Sequence, residues 1–183
     1  MTGMTSMKGL AALAAAALVF QPVAASAQQA CVAEAEVGAV AIYSVPGVIQ
    51  AVRLKCGSEL SPSGYLARRG DALAARYAAL QTRVWPRAKS GMLKVLGGRS
   101  GNAQSRQLLD TLGTLPDAAV RPLVDAWIVQ EVSAKVPVRN CRRLEWVIEA
   151  MAPIDPEVAG TLIGLLVGFA DSERLPVCPA KPA

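Results

Sequence analysis

Apolar side chains recur along this chain at spacings of three and four residues, and proline and glycine break the recurrences. Between residues 32 and 54, Val37, Val40, Ala41, Val48, Ala51 and Val52 follow an approximate helical period. Pro46-Gly47 interrupts it, a pair that kinks one helix or divides it into two. Gly57 is placed to stop this first helical region. Ser61 then offers a cap and Pro62 a first helical position. Leu66, Leu73, Tyr77, Leu80 and Val84 follow on one helical face. Trp85-Pro86 bends or ends that helix, residues 88–96 continue helically, and Gly97-Gly98 stops the segment.

Ser100 or Asn102 can cap a helix that carries Leu108, Leu109 and Leu112. Pro116-Asp117 opens another, with a wide apolar stripe of Val120, Leu123, Val124, Trp127, Ile128 and Val132, and Pro137 closes it. A shorter helix from Asn140 carries Leu144, Val147, Ile148 and Met151 inward. Asp155 caps, and Pro156 opens, a last helix to about residue 171. No stretch alternates as a strand would. The pattern predicts an all-α fold of six or seven short helices in a single domain, residues 28–183.

Residues 1–27 read differently. Lys8 precedes an unbroken apolar run from Leu10 to Phe20, and Ala25-Ser26-Ala27 follows as a small-x-small site. This order is that of a secretory signal peptide, with cleavage expected between Ala27 and Gln28. The run is shorter than the roughly 20 residues of a membrane span, so no transmembrane segment is expected after cleavage. Gln28, three residues before Cys31, argues against a lipid-modified Cys31. The expected location is therefore the periplasm or the exterior of the cell.

An exported chain with four cysteines, Cys31, Cys56, Cys141 and Cys178, is expected to form disulfides. The connection between the last two helices is short, so they are expected to form an antiparallel hairpin, which brings Cys141 and Cys178 together as the preferred bridge. Cys31–Cys56 then follows by elimination, and it requires the chain to fold back at Pro46-Gly47. If that region is instead one helix, about 25 residues at 1.5 Å each keep the two sulfurs apart and the pairing must differ. No CxxC and no histidine is present, so neither a zinc site nor any other metal or cofactor is expected.

Charge is uneven. Between Leu60 and Leu109 nine basic residues face one acid, Asp71. Arg69, Arg76 and Arg83 repeat every seven residues, and Arg87 and Lys94 extend the line. At 100° per residue these five form a narrow stripe. Such a stripe suits an anionic partner, either an envelope protein or another anionic envelope component. A solvated face whose charges pair with neighbouring helices is the plainer reading. Nucleic acid fits the charge but not the compartment.

Gly160, Gly164 and Gly168 lie on one face of the last helix, where glycine costs about 1 kcal/mol against alanine. Close approach of another helix would account for them. Arg69-Gly70-Asp71, a cell-adhesion tripeptide elsewhere, falls inside a predicted helix and is read as chance.

Catalysis finds little support. The commonest general base is absent, as are a nucleophile elbow, a phosphate loop and a zinc-protease motif. Glu145 and Glu149 sit among Arg142 and Arg143, a setting that favours surface ion pairs. The expected function is a non-enzymatic exported binding module with a basic helix face. The alternatives are an envelope glycan hydrolase using carboxylates and a peripheral module on anionic lipid.

Overall fold

The computed structural model describes residues 31–99, 103–170 and 177–178. The expected signal peptide, its cleavage site and the candidate caps Ser100 and Asn102 lie outside the described residues. Among the described residues the chain forms six α-helices and one short 3-10 turn: α1 (Glu34–Cys56), α2 (Tyr65–Arg99), α3 (Ala103–Thr114), α4 (Asp117–Lys135), the turn Val138–Asn140, α5 (Cys141–Met151) and α6 (Pro156–Phe169). The only extended pairing there is an isolated parallel bridge between Val32 and Val177. The all-α class is the one the apolar spacing predicts.

Helix α1 passes unbroken through Pro46 and packs against α2, α4 and α6. A helix-interior proline costs about 3 kcal/mol or more. Ile42, Ile49 and Val52 flank it and are buried, at roughly 1.5–3 kcal/mol each, so tertiary packing outweighs the local cost. Helix α2 likewise continues through Pro86 and Gly97-Gly98, with Trp85 and Ala88 fully buried beside the proline. By length and composition α1 could cross a membrane, but Gly38, Ala39, Ile42, Tyr43, Ile49, Ala51, Val52 and Cys56 along it are buried.

Two apolar clusters meet along α1. Ile42, Ile49, Val52 and Cys56 pack with Leu66, Leu73, Tyr77 and Cys141. Ala39 and Tyr43 pack with Trp85, Ala88, Val120 and Ile128. The start of α2 departs from expectation. Residues 61–64 form a turn in which Ser61 O accepts from Gly64 N–H, and the helix begins at Tyr65. Helix α6 starts as predicted: Asp155 Oδ1 accepts from the backbone N–H groups of Glu157 and Val158, with Pro156 at the first position.

The axis turns through 117° between the 138–151 segment and α6, so these elements are not an antiparallel hairpin. Instead α6 runs back along the first half of α1. Gly160 meets Gly38 and Ile42, and Gly164 meets the backbone of Glu34. The bulk of a single Cβ decides this approach: one added to Gly38 would lie 2.6 Å from Gly160 O.

This geometry corrects the expected disulfides. The bridges are Cys31–Cys178 and Cys56–Cys141, not Cys141–Cys178 with Cys31–Cys56. A continuous α1 puts Cys31 and Cys56 at opposite ends of one rod. Helix α6 returns the C-terminal segment to the start of that rod, where Cys178 N–H also donates to Val32 O at 2.9 Å. The far end of α1 receives the start of α5. Two intramolecular bridges suit an oxidising compartment.

Candidate interaction surface

Helix α5 is held by three restraints. Its first residue, Cys141, is buried and bonded to Cys56. Leu144 and Ile148 pack partly buried against the first cluster. Glu145 Oε1 accepts from Leu66 N–H at 2.9 Å and so satisfies one of the donors that the first turn of α2 leaves unpaired. Glu145 therefore serves as a helix cap rather than a partner for Arg142 or Arg143.

With that rotation fixed, Arg142, Arg143 and Trp146 point outward together, since residues three and four apart share a helix face. Arg139, in the 3-10 turn just before, is also exposed. Trp146 is 66% exposed. Among the described residues none of these three guanidinium groups has an ion-pair partner. Beside this face lies an open groove of about 420 Å³. Its lining is chiefly apolar, from Val132, Val136, Leu144 and Val147, and Arg143 lines it as well. Surface tryptophan and arginine around an apolar recess are what protein contacts enrich at their energetic centres.

The five residues of the predicted stripe divide. Arg76 Nη2 donates to Ala152 O at 2.6 Å and to Ile154 O at 2.7 Å, tying α2 to the turn before α6. Arg83 pairs with Glu157 at 2.5 Å. Lys94 donates to both carboxylate oxygens of Glu36 at 2.8 Å. Arg69 and Arg87 are exposed and carry no such contact among the described residues. Arg69 lies one turn from Leu66, so its charge falls at the same end of the molecule as α5.

Glu36 is a hub. It accepts from Lys94, from Ser90 Oγ at 2.6 Å and from Ala33 N–H at 2.9 Å. Burial would raise its carboxyl pKa, but the Lys94, Ser90 and backbone donors together hold it below the ordinary carboxylate range. Burial and the neighbouring Asp125 carboxylate push the Tyr43 hydroxyl well above its usual range. No charged or polar residue among those described is fully buried, and no group of three acidic, cysteine or histidine side chains among them could hold a metal ion. Spacing along the chain pointed to neither Arg139 nor Trp146, and it assigned Arg142 and Arg143 to surface ion pairs with Glu145 and Glu149 that are absent among the described residues. The available signal was an arginine pair three and four residues before a tryptophan.

Compared with protein-family models, curated proteins and solved structures, the chain matches none.

Proposed function

We propose that this protein is an exported, non-enzymatic binding module that holds an acidic face of another envelope protein through α5. The observation that carries this reading is Trp146, two-thirds exposed on a face shared with guanidinium groups that have no internal counter-charge among the described residues. Leaving a tryptophan in water forgoes burial energy, and that cost is recovered when a partner covers the ring. The arginines add bidentate contacts to carboxylates, and the adjoining groove accepts an apolar side chain.

The compartment assignment rests on the predicted signal peptide together with the two disulfides. The periplasm and the exterior are both oxidising settings of this kind. The basic line on α2 contributes Arg69 and Arg87 as outlying charges, while Arg76, Arg83 and Lys94 act within the fold. A glycan hydrolase is the weaker reading, because no carboxylate among the described residues is buried as a raised-pKa acid would be. A lipid-binding stripe is weaker too, since three of its five members already have internal partners.

The test is capture of a partner from the protein's own envelope fraction, compared between wild type and an Arg142→Glu/Arg143→Glu variant. Loss of capture with unchanged helicity and melting supports the reading. Equal capture by both proteins contradicts it.

A further inference from the structure

The ridge on the outer side of α6 is distinct from the α5 face. Val158, Leu162, Leu165, Leu166 and Phe169 are exposed by 51, 45, 37, 66 and 82% respectively. Their spacing is 4, 3, 1 and 3, which is one helix face, and Val158, Leu162, Leu165 and Phe169 follow the 4-3-4 rhythm of a helix-pairing seam. The opposite face of α6, with Ala159, Gly160 and Gly164 buried, is already occupied by α1. This helix is therefore apolar on two sides, and among the described residues only one of them is covered.

We infer that a second copy of this chain covers the ridge, so that the protein forms a two-fold dimer through α6. Three observations favour that occupant. No charged residue lies between Glu157 and the end of the helix at Phe169, and Thr161, Leu166 and Gly168 flank the seam. The Glu34 carboxylate reaches Gly168 at the edge of the seam, but the seam's own side chains carry no charge that would repel an identical copy. An anionic membrane surface fits poorly, because the first turn carries Asp155 and Glu157, whereas helices that lie on membranes carry lysine and arginine beside their apolar face.

The size also fits. The five side chains expose on the order of 500 Å² of apolar surface, at the upper range of what monomers leave uncovered. Two such faces remove on the order of 1,000 Å² from water, at the lower bound for a specific interface. The contact is accordingly small for a specific interface, and its monomer–dimer equilibrium is to be sought over a wide concentration range. An isologous contact of this kind would carry two α5 faces on one particle, and so two binding sites.

Sedimentation equilibrium of the exported, oxidised protein over roughly 1–300 µM tests the inference. The expected result is a reversible monomer–dimer equilibrium that Leu166→Glu shifts at least tenfold toward monomer, with the circular dichroism spectrum unchanged. Leu166 is 66% exposed, so the variant leaves the packing against α1 intact. Should it nonetheless misfold, Leu162→Lys provides the same reading. A monomer at every concentration, or a dimer indifferent to both substitutions, overturns the proposal. A monomer that binds phosphatidylcholine vesicles through Leu166 also overturns it and assigns the ridge to lipid. None of these outcomes depends on the Arg142/Arg143 contact, so the two readings fail separately.

Discussion

Replacing Gly38 with alanine sets two known effects against each other. In a helix interior alanine is favoured over glycine by about 1 kcal/mol, so propensity alone predicts a more stable protein. The structure predicts the opposite. The new Cβ would lie 2.6 Å from the carbonyl oxygen of Gly160 and 3.0 Å from its carbon. Both are backbone atoms, so no rotamer change relieves the overlap, and α6 must move away from α1 by several tenths of an ångström or more. That shift loosens the neighbouring contacts between Ile42 and Gly160 and between Glu34 and Gly164. Overpacking of a tight contact costs about 1–3 kcal/mol, and more where the backbone must yield. Since backbone atoms must yield here, the upper part of that range applies, about 2–3 kcal/mol, and less the propensity gain the net loss is about 1–2 kcal/mol, or roughly 2–8 °C in melting temperature for a domain of this size. Gly98→Ala supplies the control. That glycine is also helical, but a Cβ there meets nothing within 4 Å, so it should melt at or slightly above wild type. Thermal unfolding followed at 222 nm measures both. A Gly38→Ala protein as stable as the Gly98→Ala control would refute the close packing of α6 on α1.

The remaining predictions concern bridges and titrations. Peptide mapping without reduction should recover Cys31 linked to Cys178 and Cys56 linked to Cys141. With loops of 147 and 85 residues, the chain-entropy model gives about 4.5–5 kcal/mol for each bridge, so reduction should lower the denaturant midpoint sharply. Recovery of Cys141–Cys178 instead would contradict the course of α6. Glu36 has a folded pKa below its unfolded one, so its contribution is present above the usual carboxylate range and is lost as pH falls through the folded value. Glu36→Gln should therefore cost about 1–2 kcal/mol at neutral pH and nothing further in acid. Equal losses at pH 7 and pH 3 would count against the hub. Tyr43 has a raised folded pKa, so its contribution is complete below about pH 10 and disappears as pH rises toward the folded value. Absorbance at 295 nm should show its ionisation coinciding with unfolding, and Tyr43→Phe should blunt that alkaline transition.

Much of this architecture was legible in the spacing of apolar residues. Leu66, Leu73 and Tyr77 are buried, and Leu80 and Val84 half-buried, on the one face that period predicts. The Asp155-Pro156 start of α6 follows from local chemistry alone. The interruptions were not legible, because tertiary burial decides them. Pro46 and Pro86 punctuate a sequence, but flanking side chains buried to a few per cent keep both helices continuous. The disulfide pairing was lost in two steps: the last two helices do not form the antiparallel hairpin that would join Cys141 to Cys178, and a continuous α1 holds Cys31 and Cys56 apart. On the surface, helical spacing placed the line of Arg69, Arg76, Arg83, Arg87 and Lys94 along α2. It could not show that the turn at 152–154, Glu157 and Glu36 arrive opposite three of the five, because those contacts join residues 58 or more positions apart. The same blindness hid Trp146. Its outward aim depends on Glu145 reaching Leu66, a bond across 79 residues.

The central claim is that α5 is a contact surface with Trp146 at its centre. It is tested most directly by titrating the captured partner against wild-type protein and against Trp146→Ala. The account predicts that the substitution weakens binding about 30-fold, the roughly 2 kcal/mol of a contact-centre tryptophan. It predicts no change in melting, because the side chain touches little of the fold. An affinity within threefold of wild type would contradict the account.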